Sequence, residues 1–195
     1  PMSTRETFLD YLCSCYRPDR MVVGVGGRFG DDLLPRLEEL LGDLDPAETG
    51  AAAPVALDDA AAVKVHTKTS DQAHLIVGAR SYPLGHPDRY VLQLVATVLG
   101  GGMSSRLFTE VRERRGLAYY VFGTNQGYTD AGSLYAQAGV DIARIDDAVS
   151  TIVAELRTIA GEPVPADELE KARSFAKGRF VLQLESPHGT TMFGL

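Results

Sequence analysis

Tyr119 to Val140 reads YYVFGTNQGYTDAGSLYAQAGV. Two strand-like runs, Tyr119–Tyr128 and Ser133–Val140, flank Thr129-Asp130-Ala131-Gly132, so the stretch is expected to fold as two strands joined by a turn. Helical patterns lie on both sides. Upstream, Ser104 is placed to cap a helix reaching about Arg115, with Gly116 as its stop. Downstream, Ile145, Val149, Ile152, Val153, Leu156 and Ile159 recur at helical spacing between Ile142 and Ala160. Pro163-Val164-Pro165 breaks the chain. Asp167 then caps a last helix, with Leu169, Ala172, Ala176, Phe180 and Leu184 on one face. Earlier, Ala62–Thr69 and Gln72–Ala79 are expected to pair as strands, and Arg89–Leu99 to form a helix buried on most sides. From residue 60 the order is ββααββαα. Strands arriving in pairs predict an antiparallel or mixed sheet covered by helices, an α+β fold.

The first sixty residues read differently. Ser3-Thr4-Arg5-Glu6 resembles a capping box before a short helix carrying Phe8, Leu9 and Leu12. Pro18 ends it. Met21–Val25 is expected to be a buried strand, and Asp31–Leu44 a helix turning Leu33, Leu34, Leu37, Leu40 and Leu41 inward. Residues 43–59 hold five acids and two prolines with no Lys or Arg, the composition of a solvated linker. The expected division is therefore 1–42, a linker at 43–59, and an α+β domain at 60–195. Pro1 is not an initiator, and the last helix stops without a clear ending, so the chain is expected to be part of a longer one.

A length of 195 residues with 45% hydrophobic and 23% charged side chains is that of a soluble globular protein. A net charge of −7 argues against nucleic acid or an anionic membrane as partner, since both need a basic footprint. The apolar stretch Tyr90–Leu99 is half a membrane span, and the charges spread through Pro1–Arg20 make a signal peptide there unexpected. Cys13 and Cys15 are too close in sequence for a relaxed disulfide and are read as reduced thiols in the cytoplasm.

The available chemistry is sparse. His66, His74, His86 and His188 all lie more than five residues apart, so no paired-histidine zinc motif is present and no metal ligand is assigned. Ser70-Asp71-Gln72-Ala73-His74 has the residue types of a hydrolase triad without the nucleophile elbow, and turn polarity explains it better. Gly100-Gly101-Gly102 admits two readings: a tight turn needing positive φ, or a close approach of substrate backbone at Gly101 and Gly102. The most loaded stretch is Ser105–Tyr120, with four arginines in an acidic protein. Arg114 and Arg115 suit the negative end of a helix dipole. Arg112, one turn earlier, and Tyr119, three residues past Gly116, can meet at a helix–glycine–strand corner.

Leu99-Gly100-Gly101-Gly102-Met103-Ser104-Ser105-Arg106-Leu107-Phe108, then Glu110-Val111-Arg112-Glu113 and Arg115-Gly116-Leu117-Ala118-Tyr119, resembles the second-half signature of the insulinase (M16, pitrilysin-like) zinc peptidases, which include the mitochondrial processing peptidase. Tyr16-Arg17-Pro18-Asp19 resembles the end of that family's first half, and Asp167–Lys177 its late helix. The resemblance implies an α+β half whose zinc ligands would all precede Pro1. It implies Arg112 and Tyr119 as the catalytic donors to the peptide, no cofactor in this fragment, and zinc in the full-length parent. The implied partners are a peptide or unfolded protein substrate, the missing zinc-binding half and a second subunit, as homo- or heterodimer, with no nucleic acid and no membrane. The implied function is the substrate-clamping C-terminal portion of a zinc metalloendopeptidase. The alternatives are a noncatalytic partner or structural subunit of the same family, and an α+β binding domain with no protease role.

Overall fold

The computed structural model describes residues 3–44, 61–67 and 70–194. The chain divides into two compact units, Pro1–Ala53 with Arg179–Leu195, and Pro54–Gly178. Its elements in order are α1 (Arg5–Cys15), α2 (Leu33–Leu41), β1 (Ala73–Ser81), α3 (Arg89–Gly100), a π-helix (Phe108–Arg114), β2 (Ala118–Gly127), β3 (Gly132–Val140), α4 (Ile145–Gly161), α5 (Ala166–Leu184) and α6 (Pro187–Gly194). Short 3-10 turns lie at Pro18–Arg20 and Ile142–Arg144.

In the larger unit the sheet is antiparallel in the order β1-β3-β2. The β2–β3 hairpin forms where alternation and turn residues place it. Leu75, Ala138 and Val121 stand opposite one another and are buried. Period-2 alternation then turns His74, Ile76, Tyr120, Phe122 and Gln137 to the other face. Leu99 of α3, Leu107, Val111 of the π-helix and Ile152 of α4 complete the core without exposure. Burying such a side chain contributes about 1.5–3 kcal/mol. Ile145, Val149, Leu156 and Ile159 pack against this core, so α4 presents the face that its spacing predicts.

Several expectations are corrected. Of the expected strand Ala62–Thr69, the described residues through Thr67 form no strand and Val63 is 91% exposed, while Lys68 and Thr69 lie outside the described residues. Their alternation is real, but β1 pairs instead with β3. Met21–Val25 also forms no strand, and Val22 is 79% exposed. A strand needs a neighbour for its N–H and C=O groups, and no strand stands beside it among the described residues. The N-cap of α1 is Thr4, whose hydroxyl accepts from the Thr7 amide, one residue later than the capping box implies. In α2 only the Leu33, Leu37 and Leu41 edge is half-buried; Leu34 and Leu40 are exposed. Burial of α3 is confined to its C-terminal half. The helix α6 is not among the elements expected from the sequence. Of the expected linker at 43–59, all but Asp43 and Leu44 lie outside the described residues.

The glycine run is not a positive-φ turn, since positive φ occurs only at Gly27 and Gly116 among the described residues. Gly100 is required for a different reason. A Cβ there would fall 1.9 Å from the Gly123 amide nitrogen, because α3 crosses β2 backbone to backbone.

Candidate functional site

The segment between α3 and β2 is built around its buried residues. Gly101 closes α3, its N–H donating to the Thr97 carbonyl at 3.0 Å. Ser105 turns the chain by donating its hydroxyl to the Gly102 carbonyl at 2.6 Å. Leu107 and Val111 then face the core, which fixes the opposite side of the helix toward solvent. The segment was expected to be an ordinary α-helix. It instead widens into a seven-residue π-helix over Phe108–Arg114, a form that is rare and concentrated at functional sites. Arg112 lies on its exposed side, with its guanidinium 5.0 Å from the Phe108 ring centre. Arg114 is paired with Glu110.

A sharp corner follows. Gly116 has φ +57°, which glycine adopts without steric cost. Arg144, from the turn after β3, holds this corner with both arms of its fork: Nη1 donates to the Gly116 carbonyl and Nη2 to the Arg115 carbonyl, each at 3.0 Å. Sequence pattern alone does not point to Arg144, because its partners lie 28 and 29 residues away.

Beyond the corner the β2–β3 register breaks. Ala118 pairs with Val140 and Tyr120 with Gly139, leaving Tyr119 as the extra residue of a β-bulge. Tyr119 is 63% exposed and is not a core aromatic. Arg112 and Tyr119 are thus both solvent-exposed donors, on either side of a clamped corner. No hydrogen bond joins them among the described residues. Bulges of this kind re-aim a side chain and occur beside active sites.

The neighbouring Tyr120 turns to the open sheet face, where its hydroxyl is hydrogen-bonded to His74 Nδ1 at 2.9 Å. Ser70 does not engage His74: its hydroxyl donates to the Gln72 carbonyl at 2.7 Å, as turn chemistry predicts. His86 stacks on Tyr82 with ring centres 3.8 Å apart.

Gly102 lines an open groove of about 690 Å³ together with Val98, Met103 and Phe175. A Cβ at Gly102 would lie 3.3 Å from the Phe175 ring. Gly101 stays at the end of α3. Beside this groove Arg106 makes a two-pronged bond to Glu168, Nε to Oε1 at 2.8 Å and Nη2 to Oε2 at 2.7 Å. That hydrogen bond raises the Arg106 pKa. In the adjoining cavity, burial raises the carboxyl pKa of Glu155, the charge of Glu110 raises it further, and Arg106 opposes both.

Residues 3–175 match the family described as the peptidase M16 inactive domain, and the chain belongs to that family. It is 33% identical over 183 residues to the Bacillus subtilis protein named uncharacterized zinc protease YmxG, covering 93% of this chain and 44% of that one. An uncharacterized zinc protease of Mycobacterium leprae is 31% identical over 187 residues, 93% and 42% of the respective chains. The chain therefore spans under half the length of these curated relatives. The structure of a protease from Helicobacter pylori superposes with a TM-score of 0.76 at 21% identity, covering 96% of this chain and 47% of that one. That likeness speaks for the fold. Among the described residues no group of three or more His, Cys, Asp or Glu side chains could hold a metal ion. None of the described helices is long and apolar enough to cross a membrane.

Proposed function

We propose that this chain is the substrate-holding half of a zinc endopeptidase, acting beside a separate zinc-bearing half. The observation that carries the reading is the clamped corner between Arg112 and Tyr119. The chain departs from regular geometry at both positions, a π-helix at one and a β-bulge at the other, and leaves both side chains open to solvent. One is a permanent cation with a planar donor fork, the other a phenolic donor. Both suit the carbonyl oxygen of a bound peptide, where negative charge develops during hydrolysis. The relatives named as zinc proteases, with more than twice this chain's matched length, support a catalytic half elsewhere in the whole protein. Gly101 and Gly102 take a lesser part, as the floor along which substrate backbone passes. The free thiols of Cys13 and Cys15 accord with a reducing, cytoplasmic setting.

The test is turnover of a peptide by the complete protease. Arg112→Ala and Tyr119→Phe should each lower kcat about 10²–10³-fold, the cost of losing one oxyanion donor, with Tm unchanged. Tyr119→Phe deletes only a hydroxyl. If it spares turnover, Tyr119 is not a substrate donor.

A further inference from the structure

The bulge that presents Tyr119 is flanked by a row of three residues lying straight across the sheet: His74 on β1, Gly139 on β3 and Tyr120 on β2. These residues are brought together from 65 positions of sequence by strand register alone. The Tyr120 ring lies flat over Gly139: a Cβ at that glycine would fall 2.4 Å from Tyr120 Cε1 and 2.9 Å from Cδ1. The missing side chain is what lets the phenol cross the central strand. On the far side its hydroxyl meets His74 Nδ1 at 2.9 Å, with the Gln137 amide donating to the same oxygen at 3.5 Å. The two rings are 27° from parallel. Phe122 stacks behind Tyr120 with ring centres 6.1 Å apart.

We infer that His74 is a positioning residue for Tyr119, acting through the Tyr120 ring that it fastens across Gly139. This rests on the reading of Tyr119 as a substrate donor. A bulge leaves one residue without a ladder partner, so the direction of Tyr119 is set by its neighbours in the chain. On the corner side Arg144 holds the backbone carbonyls of Arg115 and Gly116. On the strand side Tyr120 is the first residue back in register, and its hydroxyl is tied to an edge strand that Tyr119 itself does not touch through the ladder. Freeing that hydroxyl lets the residue before it drift, and a displacement of about 1 Å at a reacting group can cost about 10²-fold in rate.

The experiment uses four single variants, Tyr120→Phe, His74→Leu, His74→Gln and Gly139→Ala, and the double variant that joins Tyr120→Phe to His74→Leu. The backbone order parameter of Tyr119 is read by ¹⁵N relaxation on this chain, and kcat and KM on the complete protease. Tyr120→Phe and His74→Leu should each drop the order parameter from about 0.85 toward 0.6. Each should lower kcat about 10- to 100-fold at unchanged KM, and the double variant should be no worse than the poorer single one. His74→Gln, which retains a side-chain donor, should recover most of the loss. Gly139→Ala reproduces the defect by lifting the ring without altering either bonding group; if it fails to fold, the other variants suffice. Unchanged order at Tyr119 in both Tyr120→Phe and His74→Leu overturns the inference. So does full turnover in both where Tyr119→Phe is impaired. If Tyr119→Phe retains turnover while order still falls, the clamp stands and the substrate role of Tyr119 is what fails.

Discussion

Replacing Gly100 by alanine puts a methyl group where α3 leaves no room. The added Cβ would lie 1.9 Å from the Gly123 nitrogen and 2.7 Å from both Gly123 Cα and the Phe122 carbonyl carbon. These are backbone atoms of β2, so no flexible side chain can swing away. Reaching ordinary contact requires the helix end and the strand to part by about 1.5 Å. That separation opens the packing around Leu99 and Val121, both in the core. Overpacking of this kind costs about 1–3 kcal/mol. The upper end applies here because both sides are rigid. For a domain of this size, about 3 kcal/mol lowers Tm by roughly 10 °C. Thermal unfolding followed by circular dichroism measures it. Gly178→Ala is the internal control: it lies within α5 with nothing inside 4 Å of the new Cβ, and should raise stability by about 0.5–1 kcal/mol. Equal melting of Gly100→Ala and the parent would refute the backbone-to-backbone contact.

Removing the Arg106 side chain by Arg106→Ala leaves Glu168 without its two-pronged partner at a half-buried site. The loss should be about 1–3 kcal/mol in urea unfolding, and Arg106→Lys should recover only part, since an ammonium cannot reproduce the fork. Glu155 gives a pH signature: because folding raises its pKa above the ordinary 4.5, the native state holds the protonated form better than the unfolded state does. Its relative stabilisation is fully present below pH 4.5 and is lost as pH rises through the raised value. Glu155→Gln should therefore melt higher than the parent at pH 7, with the gap closing as pH falls toward 4.5; a gap that widens in acid contradicts the assignment.

The hairpin and α4 were legible because the information that forms them is local. Alternation from Val121 to Val140 and the 3.6-residue spacing from Ile145 to Ile159 each specify a face without reference to distant chain. The same alternation at Val63 and Val65 carried no such guarantee. A strand exists only if something pairs with it, and pairing is a property of the whole fold. The π-helix was hidden because Phe-Thr-Glu-Val-Arg-Glu-Arg fits an α-helix equally well, and nothing local in it marks the widening over Phe108–Arg114. At the site, Arg112 and Tyr119 were marked by family likeness, and the bulge that frames Tyr119 was not. His74 falls within the expected strand Gln72–Ala79, which forms as β1, but its polar side chain was put down to the neighbouring turn. The missing step was the strand order, which sets β1 beside β3 and gives His74 a partner 46 residues away.

The strand order also has a consequence in time. β3 is central in space and last in sequence, so β1 and β2 cannot pair with anything in the sheet until it arrives. β2 waits only for a short turn. The strand that β1 needs begins about 50 residues after β1 ends, which at about 5–20 residues per second is roughly 3–10 s of synthesis. Throughout that interval Leu75, Ile76 and Val77 form an apolar, β-prone segment with open hydrogen-bonding edges. During translation, then, β1 is the strand of this sheet that waits longest for its partner, and slowing the ribosome between Ser81 and Gly132 should cost soluble yield without touching the native structure.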